Sequence, residues 1–417
     1  MPLTYTRTTC RLCGDNSLVE CLSLGSTALA NSFELTRQAS VDLDVYPLDL
    51  RLCRSCGHVQ LGVVVDPDLM FPEYLYVSGT SPVFRQHFDA YAEEVSALIS
   101  EPDPLVVDIG SNDGTLLSAF ASRGFRVQGV DPAVELAQRA TEEGVPTIAS
   151  YFTPEVSEWI RKTHGQADVV TANNVCAHVD NLRQLVTSVR ALLKDSGIFV
   201  FEVSYLLSVV QDLLFDTVYH EHLDYHSVGP LRSFLRSVGL ELVGVKRVDS
   251  HGGSIRCVAA PSGSRTIFPQ WDPEELVALE ATAALANPAT YGDMGARIHA
   301  ARAALRDLLN ASRSRGEEVW GFGAPAKATT LMTQFGLDAT SIQAIVDDSP
   351  LKQGRFMPGS GIRILAPSEL PTNPDTAIIV LAWNFAAPII ARLRDDIGFR
   401  GTVITPLPRV RESRLGE

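Results

Sequence analysis

Short apolar runs alternate with amphipathic stretches through the middle of the chain, which is the pattern of an α/β fold with a parallel sheet. The apolar runs are rich in Val and Ile, as in buried strands, and they cover 106–109, 125–131, 167–175 and 197–203. Amphipathic stretches predict helices at about 82–99 and 182–193. The sequence therefore predicts helices packed on a parallel sheet in this region.

The same alternation restarts in the last third of the chain. Strands are predicted at 318–320, 342–348 and 377–384, after a long alanine-rich helical stretch from Pro273 to Ser314. A chain of 417 residues is long enough for two or three separate cores. We predict three domains, and they cover residues 1–80, 81–265 and 266–417.

Charge and composition argue against some classes of partner. The net charge is −14, from 35 basic and 49 acidic side chains, and the basic residues are not massed in one block. Binding to nucleic acid needs clustered Lys and Arg, so we expect no nucleic-acid partner. The longest apolar runs are far shorter than the ~20 residues that span a bilayer. Since the first residues show no signal peptide, we expect no membrane partner and a cytoplasmic protein.

Four of the seven cysteines form two C-x-x-C pairs, Cys10 with Cys13 and Cys53 with Cys56. Each pair can place two thiolates on one turn, and two such turns make a tetrahedral site of four sulfurs that suits zinc. Four protein ligands leave no open coordination position, so the zinc is expected to be structural. A reducing compartment disfavours disulfides, and redox dithiols or coincidence are the alternatives.

The stretch LVVDIGSNDGTLL at 105–117 predicts a strand, a glycine turn and the start of a helix. Gly110 and Gly114 let the backbone approach a ligand closely, and N–H groups at the helix start can meet its polar atoms. Asp131 follows about 20 residues later, where an acid can accept hydrogen bonds from a ribose diol. The stretch is not G-x-G-x-x-G and resembles motif I of the Rossmann-like, S-adenosylmethionine-dependent methyltransferases. An ordinary α/β turn without a ligand is the alternative.

Further polar residues follow the predicted strand at 167–175, where the sequence continues to His178. Parallel sheets bind ligands at the carboxyl ends of their strands, so these residues are expected at the same cleft. The residues expected to bind the cofactor are Asp108, Gly110, Asn112, Gly114, Asp131, Asn173 and Asn174.

The segment 215–226 gathers three of the nine histidines beside tyrosines and acids. Histidines titrate near neutral pH and can transfer protons, so we favour a general acid/base cluster at the methyl acceptor. A polar loop satisfied by its own side chains is one alternative. A second metal site is another, although H-E-H lacks the usual i, i+4 pairing of ligands on a helix.

Two other segments suggest contacts with a substrate. Aromatic and hydroxyl side chains at 70–81, including Tyr74, Tyr76 and Ser81, suggest a lid or pocket wall, or else packing at a domain junction. The glycine turn at 321–330 carries Lys327 in the predicted first turn of a helix, where helix N–H groups and an ammonium could hold a phosphate. A second NAD(P) site is the rival there, but no third glycine stands at the required spacing.

Taken together, the cysteine pairs, DIGSNDGTL, ANNVCAH, YHEH, SHGGSIR, GFGAPAKATT and LAWN occur in the order of the sugar C-methyltransferase family. The sequence resembles this family, whose members methylate C3 or C5 of a dTDP-linked 4-keto-deoxysugar in antibiotic deoxysugar biosynthesis. The resemblance implies a zinc-binding N-terminal domain, a central methyltransferase domain and a C-terminal Rossmann-like domain. We expect the C-terminal domain to hold a nucleotide sugar or simply to pack against the rest of the chain. The resemblance places catalytic roles on Tyr76, with Tyr74 as the alternative, and on His178, Tyr219, Glu221 and His222. The residues expected to contact the substrate are Tyr74, Ser81, Gly323 and Lys327.

The implied chemistry starts with removal of the proton beside the ketone, and the resulting enolate attacks the sulfonium methyl. His222 is expected to be the base, with Glu221 orienting or polarising it. Tyr219 either helps the proton transfer or binds the developing oxyanion. We expect C3 methylation by a monomer, with C5 methylation as the alternative. A zinc-containing methyltransferase of macromolecules and a non-catalytic binding protein are less favoured hypotheses.

Overall fold

The computed structural model describes residues 3–70, 82–264 and 271–416, and these ranges contain four β-sheets. Tyr74, Tyr76, Ser81 and both predicted domain boundaries lie outside the described residues. The boundaries of the three domains therefore stay predictions. No helix in the described ranges is both long and apolar enough to cross a membrane.

The N-terminal part is built on short antiparallel strands around the cysteine pairs. In the third strand Leu48, Leu50 and Leu52 are buried while Pro47, Asp49 and Arg51 are more exposed, because side chains alternate across a sheet. The elements are β1 Thr4–Thr6, β2 Leu18–Thr27, α1 Arg37–Val41, β3 Tyr46–Cys53, β4 Val59–Leu61, β5 Val63–Val65 and α2 Pro67–Met70. β1 pairs with β5, and β2, β3 and β4 lie side by side in a second sheet.

The central part is a seven-stranded sheet with helices on both faces. Its helices are α3 Pro82–Ser96, α4 Thr115–Ala121, α5 Val134–Glu142, α6 Pro154–His164, α7 Leu182–Leu192, α8 Leu206–Gln211 and α9 Val228–Ser237. Its strands are β6 Leu105–Ile109, β7 Arg126–Asp131, β8 Thr147–Ala149, β9 Ala167–Asn173, β10 Leu193–Ser204, β12 Leu240–Val248 and β13 Ser254–Pro261. The intervening strand β11, Asp224–Tyr225, does not join this sheet. It pairs instead with β4 and becomes the fourth strand of the N-terminal sheet.

The strand order β12-β13-β10-β9-β6-β7-β8 is parallel from β10 to β8, and its last two strands return antiparallel. Successive residues of β6 enter opposite cores: Val106 packs with α3 and α4, and Val107 packs with α7. This explains why β6 has buried residues throughout and no polar face. The strand predicted to end at 175 stops at Asn173, since Asn174 takes a left-handed φ of 56°.

The C-terminal part is a second parallel sheet with one antiparallel edge strand, in the order β16-β15-β14-β17-β18-β19. Its elements are α10 Pro273–Thr282, α11 Pro288–Ser314, β14 Glu318–Phe322, α12 Ala328–Phe335, β15 Ile345–Val346, β16 Ile364–Leu365, β17 Thr376–Val380, α13 Ala386–Asp395, β18 Thr402–Thr405 and β19 Arg411–Arg414. The alanine-rich stretch predicted to be helical at about 273–314 forms two helices and not one continuous helix. The stretch breaks before Pro288, where Asn287 caps a new helix with a bond to Ala289 N, because proline suits a first helical turn but not a helix interior.

Candidate active site

The two cysteine pairs meet in one cluster. Their four sulfur atoms lie within 4.8 Å of one another, with Cys10 Sγ 3.6 Å from Cys56 Sγ and Cys13 Sγ 3.6 Å from Cys53 Sγ. Sulfurs around a zinc ion at about 2.3 Å would stand roughly 3.8 Å apart, so the cluster fits zinc. All four positions of a tetrahedral ion would be filled by the chain, which suits a structural site.

The glycine turn after β6 is held open by left-handed residues, with φ values of 70° at Gly110, 51° at Asn112 and 75° at Gly114. Asp131, at the end of β7, accepts hydrogen bonds from the backbone N–H groups of Asn112 and Ala133, both at 2.8 Å. A carboxylate has four lone-pair directions, so two remain for a ligand. The acid and the turn are thus fixed to each other.

Three other residues predicted for the cofactor lie on or directly after neighbouring strands. Asp108 accepts from Thr171 Oγ1 at 2.6 Å, and burial raises the pKa of its carboxyl to about 7. Asn173 ends β9, and Asn174 N donates to Glu202 O at 2.9 Å. These contacts place all three predicted residues along the carboxyl ends of adjacent strands.

A second group brings together residues that are far apart in sequence. The rings of His178 and His222 lie 4.9 Å apart at 82°, and Tyr219 Oη is 3.0 Å from His222 Nε2. His222 Nδ1 is 2.7 Å from the carbonyl oxygen of Thr217, and a carbonyl can only accept. Nδ1 therefore carries the proton, and in the neutral ring the lone pair is on Nε2.

The remaining residues of the histidine-rich segment have different surroundings. Glu221 is buried and accepts from Asn31 Nδ2 at 2.6 Å, and burial raises its pKa to about 7. The ring of His220 lies instead against the backbone of the N-terminal part, with Nε2 3.2 Å from the carbonyl of Tyr46. His226 is fully buried, and its burial lowers its pKa to about 4. Asn31 was not predicted as a site residue, because no motif surrounds it in the sequence.

The glycine turn of the C-terminal part faces the same segment. Lys327 Nζ lies 3.7 Å from Asp216 Oδ2 and 3.9 Å from the ring centre of Trp383. Its side chain is only 12% exposed. The ammonium thus faces an internal acid, and its predicted contact with phosphate stays a prediction. Gly323, with φ of 87°, has no room for a side chain, since a Cβ would meet Ala382 Cβ at 2.6 Å.

The fold and these sites define a Rossmann-like methyltransferase with an added zinc-binding part. Residues 83–245 match the model of a methyltransferase domain, and residues 10–71 match that of a zinc-binding domain. Residues 249–408 match the C-methyltransferase C-terminal domain. The chain therefore uses S-adenosylmethionine and holds zinc through its four-cysteine cluster.

The C-methyltransferase NovU of Streptomyces niveus is 36% identical over 404 residues, which are 96% of this chain and 96% of NovU. The chain belongs to the C-methyltransferase family, and its predicted membership of the sugar C-methyltransferases is confirmed. The ubiquinone biosynthesis O-methyltransferase of Burkholderia thailandensis is 31% identical over 43% of this chain and 79% of its own length. Magnesium protoporphyrin IX methyltransferase from Synechocystis PCC 6803 covers 43% of the chain at 16% identity and a TM-score of 0.33, too low to bear on function.

Proposed function

We propose that the chain methylates C3 of a 4-keto-deoxysugar carried on dTDP, as a step in antibiotic deoxysugar biosynthesis. The cluster of His178, Tyr219 and His222 beside the cofactor strands is the observation that supports this proposal most directly. Methylation of carbon beside a ketone requires removal of a proton from that carbon, and this cluster offers a basic nitrogen with a fixed tautomer.

In the proposed reaction His222 Nε2 accepts the proton, either directly from the sugar carbon or through the Tyr219 hydroxyl. Thr217 keeps the ring in the tautomer that places the lone pair on Nε2. Glu221 has a pKa of about 7, so near neutral pH it can hold a proton and offer it to the oxygen on which charge develops. S-adenosylmethionine, when bound, supplies the methyl group.

Other residues are proposed to hold the two ligands. Asp131 would bind the ribose of the cofactor and the turn at 110–114 would contact its methionine part, which matches the close backbone approach there. Tyr74, Tyr76 and Ser81 are proposed to contact the sugar, and Lys327 with Gly323 its nucleotide. The acidic net charge of −14 favours a small acceptor over a nucleic acid.

The test is deuterium wash-in to a dTDP-4-keto-6-deoxysugar in D₂O, with and without S-adenosylmethionine, followed by mass spectrometry and NMR. Enzyme-dependent exchange and methyl gain at C3 would support the proposal. The same changes at C5 would move the reaction to the neighbouring carbon on the other side of the ketone. Neither exchange nor methyl gain across 3-hydroxy, 3-amino and 3-deoxy substrates would overturn it.

A further inference from the structure

The loop that carries His222 is anchored immediately after this residue. Leu223 N donates to the carbonyl of Ala177 at 2.7 Å, and Leu223 O accepts from Leu61 N at 2.9 Å. Ala177 directly precedes His178. One residue therefore joins the two neighbouring histidines of the candidate site to each other and to strand β4 of the N-terminal part.

The next residue makes a side-chain contact with the zinc-binding turn. His58 Nε2 lies 2.6 Å from Asp224 Oδ1, and both side chains are fully buried. His58 stands two positions after Cys56, and its carbonyl accepts from Cys53 N at 2.8 Å. The ring that meets Asp224 is therefore tied by backbone bonds to the turn that presents two metal ligands.

The His58–Asp224 bond is expected to be strong and rigid. Burial opposes ionisation of Asp224, but the charge of Arg11 and the bond from His58 outweigh it and lower the pKa of this carboxyl. Arg11 Nη1 also donates to Leu223 O at 3.3 Å. A hydrogen bond to an ionised group in a desolvated site is short and well aligned, and it tolerates little displacement.

We propose that His58 is a positioning residue for the reaction: through Asp224 it fixes the downstream end of the loop and hence the place of His222 beside His178. This inference rests on the proposed function, in which His222 accepts the proton. Zinc, when bound, holds the turn from which His58 projects. The metal site then acts on the reaction through the position of the base.

The proposal is tested in the full-length, zinc-loaded chain with His58→Ala, His58→Gln and Asp224→Asn. A misplacement of about 1 Å in a reacting group can lower turnover about 100-fold, so we expect a fall of that order in kcat for His58→Ala. KM and S-adenosylmethionine affinity should stay within about two-fold, and one zinc per chain should remain, since neither variant residue is a metal ligand. His58→Gln keeps an amide donor toward Asp224 and should recover most of the lost turnover.

Ser40→Ala is the matched control. Ser40 is also fully buried in the N-terminal part and bonds the carbonyl of Met357 in another part of the chain, far from the loop in sequence. It should change stability but not kcat per folded chain. If His58→Ala fails to fold, Asp224→Asn tests the same link: asparagine is close to aspartate in shape and keeps the acceptor oxygen but loses the charge, so kcat should fall in the same direction by a smaller factor.

A second readout does not depend on turnover. With isotope-labelled histidine, the NMR titration of His222 can be followed in the free enzyme and assigned by its loss in His222→Asn. His58→Ala should shift this titration, and Ser40→Ala should not. Any of three results for His58→Ala would overturn the proposal. The first is an unchanged His222 titration, and the second is a kcat within two-fold of wild type. The third is a fall in kcat that is matched by zinc loss and is not recovered by His58→Gln. Absence of exchange by the wild type would overturn the proposed function instead.

Discussion

His222 is the residue whose surroundings restrict its chemistry most. Its Nδ1–H is fixed by the Thr217 carbonyl, and its Nε2 meets the Tyr219 hydroxyl. A histidine held in one tautomer, with a hydroxyl on the lone pair, can pass a proton in either direction without turning its ring.

His222→Asn should lower turnover by about 10²–10⁴-fold, the usual contribution of a general base. Calorimetric affinity for S-adenosylmethionine should stay unchanged, because the predicted cofactor residues lie outside the loop that carries His222. Exchange of the sugar proton in D₂O measures the step itself. Near-normal exchange in this variant would remove His222 from the role of base.

Asp108 should make stability depend on pH. Burial raises its pKa from 3.8 to about 7, so within this window the folded chain keeps a proton that the unfolded chain has lost. Folding stability contributed by this group is full below pH 3.8 and is lost as pH rises through 7. Asp108→Asn cannot ionise, and its unfolding free energy relative to wild type should rise by roughly 4 kcal/mol between pH 4 and pH 8.

Urea unfolding at the two pH values measures this difference. Asp195→Asn is the control, since the Asp195 side chain is 94% exposed and should give no such change. Parallel pH dependences of wild type and Asp108→Asn would contradict the expectation.

At the scale of elements, the two α/β units share one arrangement, in which an acid at or after a strand accepts a hydrogen bond from the backbone of a glycine turn. Asp131 accepts from the turn residue Asn112, and Asp347, after β15, accepts from the turn residue Ala324 at 2.6 Å.

Asp131→Ala should weaken S-adenosylmethionine binding about 10–100-fold, because a ribose contact and a support of the turn are both lost. Asp347→Ala is the matched control and should leave calorimetric affinity unchanged. Equal affinities of the two variants would defeat the ribose assignment.

The turn itself gives a second prediction at this scale. A Cβ on Gly110 would stand 2.5 Å from Val175 Cγ2, whereas one on Gly124, also at positive φ, would meet nothing within 4 Å. Both Gly→Ala changes should cost about 1–2 kcal/mol of backbone strain. Only Gly110→Ala should also lose cofactor affinity, and calorimetry with thermal unfolding separates the two effects. Unchanged cofactor affinity in Gly110→Ala would contradict this expectation, since the turn would then bind the cofactor even after the new Cβ has pushed it away from Val175.

Local signals made these elements predictable from the sequence. The turn at Gly110, the acid at Asp131 and the cysteine pairs each depend on residues close together in the chain. The contacts that complete the site join residues that are far apart in the chain. Asn31 with Glu221 joins residues far apart in sequence, and nothing near Asn31 marks it. The pairing of β11 with β4 was missed for the same reason, since a two-residue strand has no periodicity of its own.

At the scale of the whole molecule, three parts of the chain meet at one loop. Asn31 and β4 contact it from the N-terminal part, and Thr330 Oγ1 donates to Val218 O from the C-terminal part at 2.8 Å. The sheet that carries the cofactor residues is separate from the zinc cluster. Loss of the metal should therefore affect the loop more than the cofactor site.

Removal of zinc by a chelator should abolish turnover while leaving most of the S-adenosylmethionine affinity, since a structural zinc site contributes its binding free energy to the fold around it. The apparent melting temperature should fall, and zinc added back should restore both turnover and the melting temperature. Turnover and calorimetry of the chelated chain measure the two effects. Full turnover in a chain shown to lack zinc would contradict this expectation.

The fourth strand of the N-terminal sheet is synthesised long after the other three. β4 ends at Leu61 and β11 begins at Asp224, so at ~5–20 residues per second the edge of β4 waits roughly 10–30 s for its partner. An unpaired strand edge is a template for pairing with other chains. The nascent protein therefore exposes an unpaired strand edge during this interval, and a fragment that stops near residue 70 would keep that edge exposed permanently.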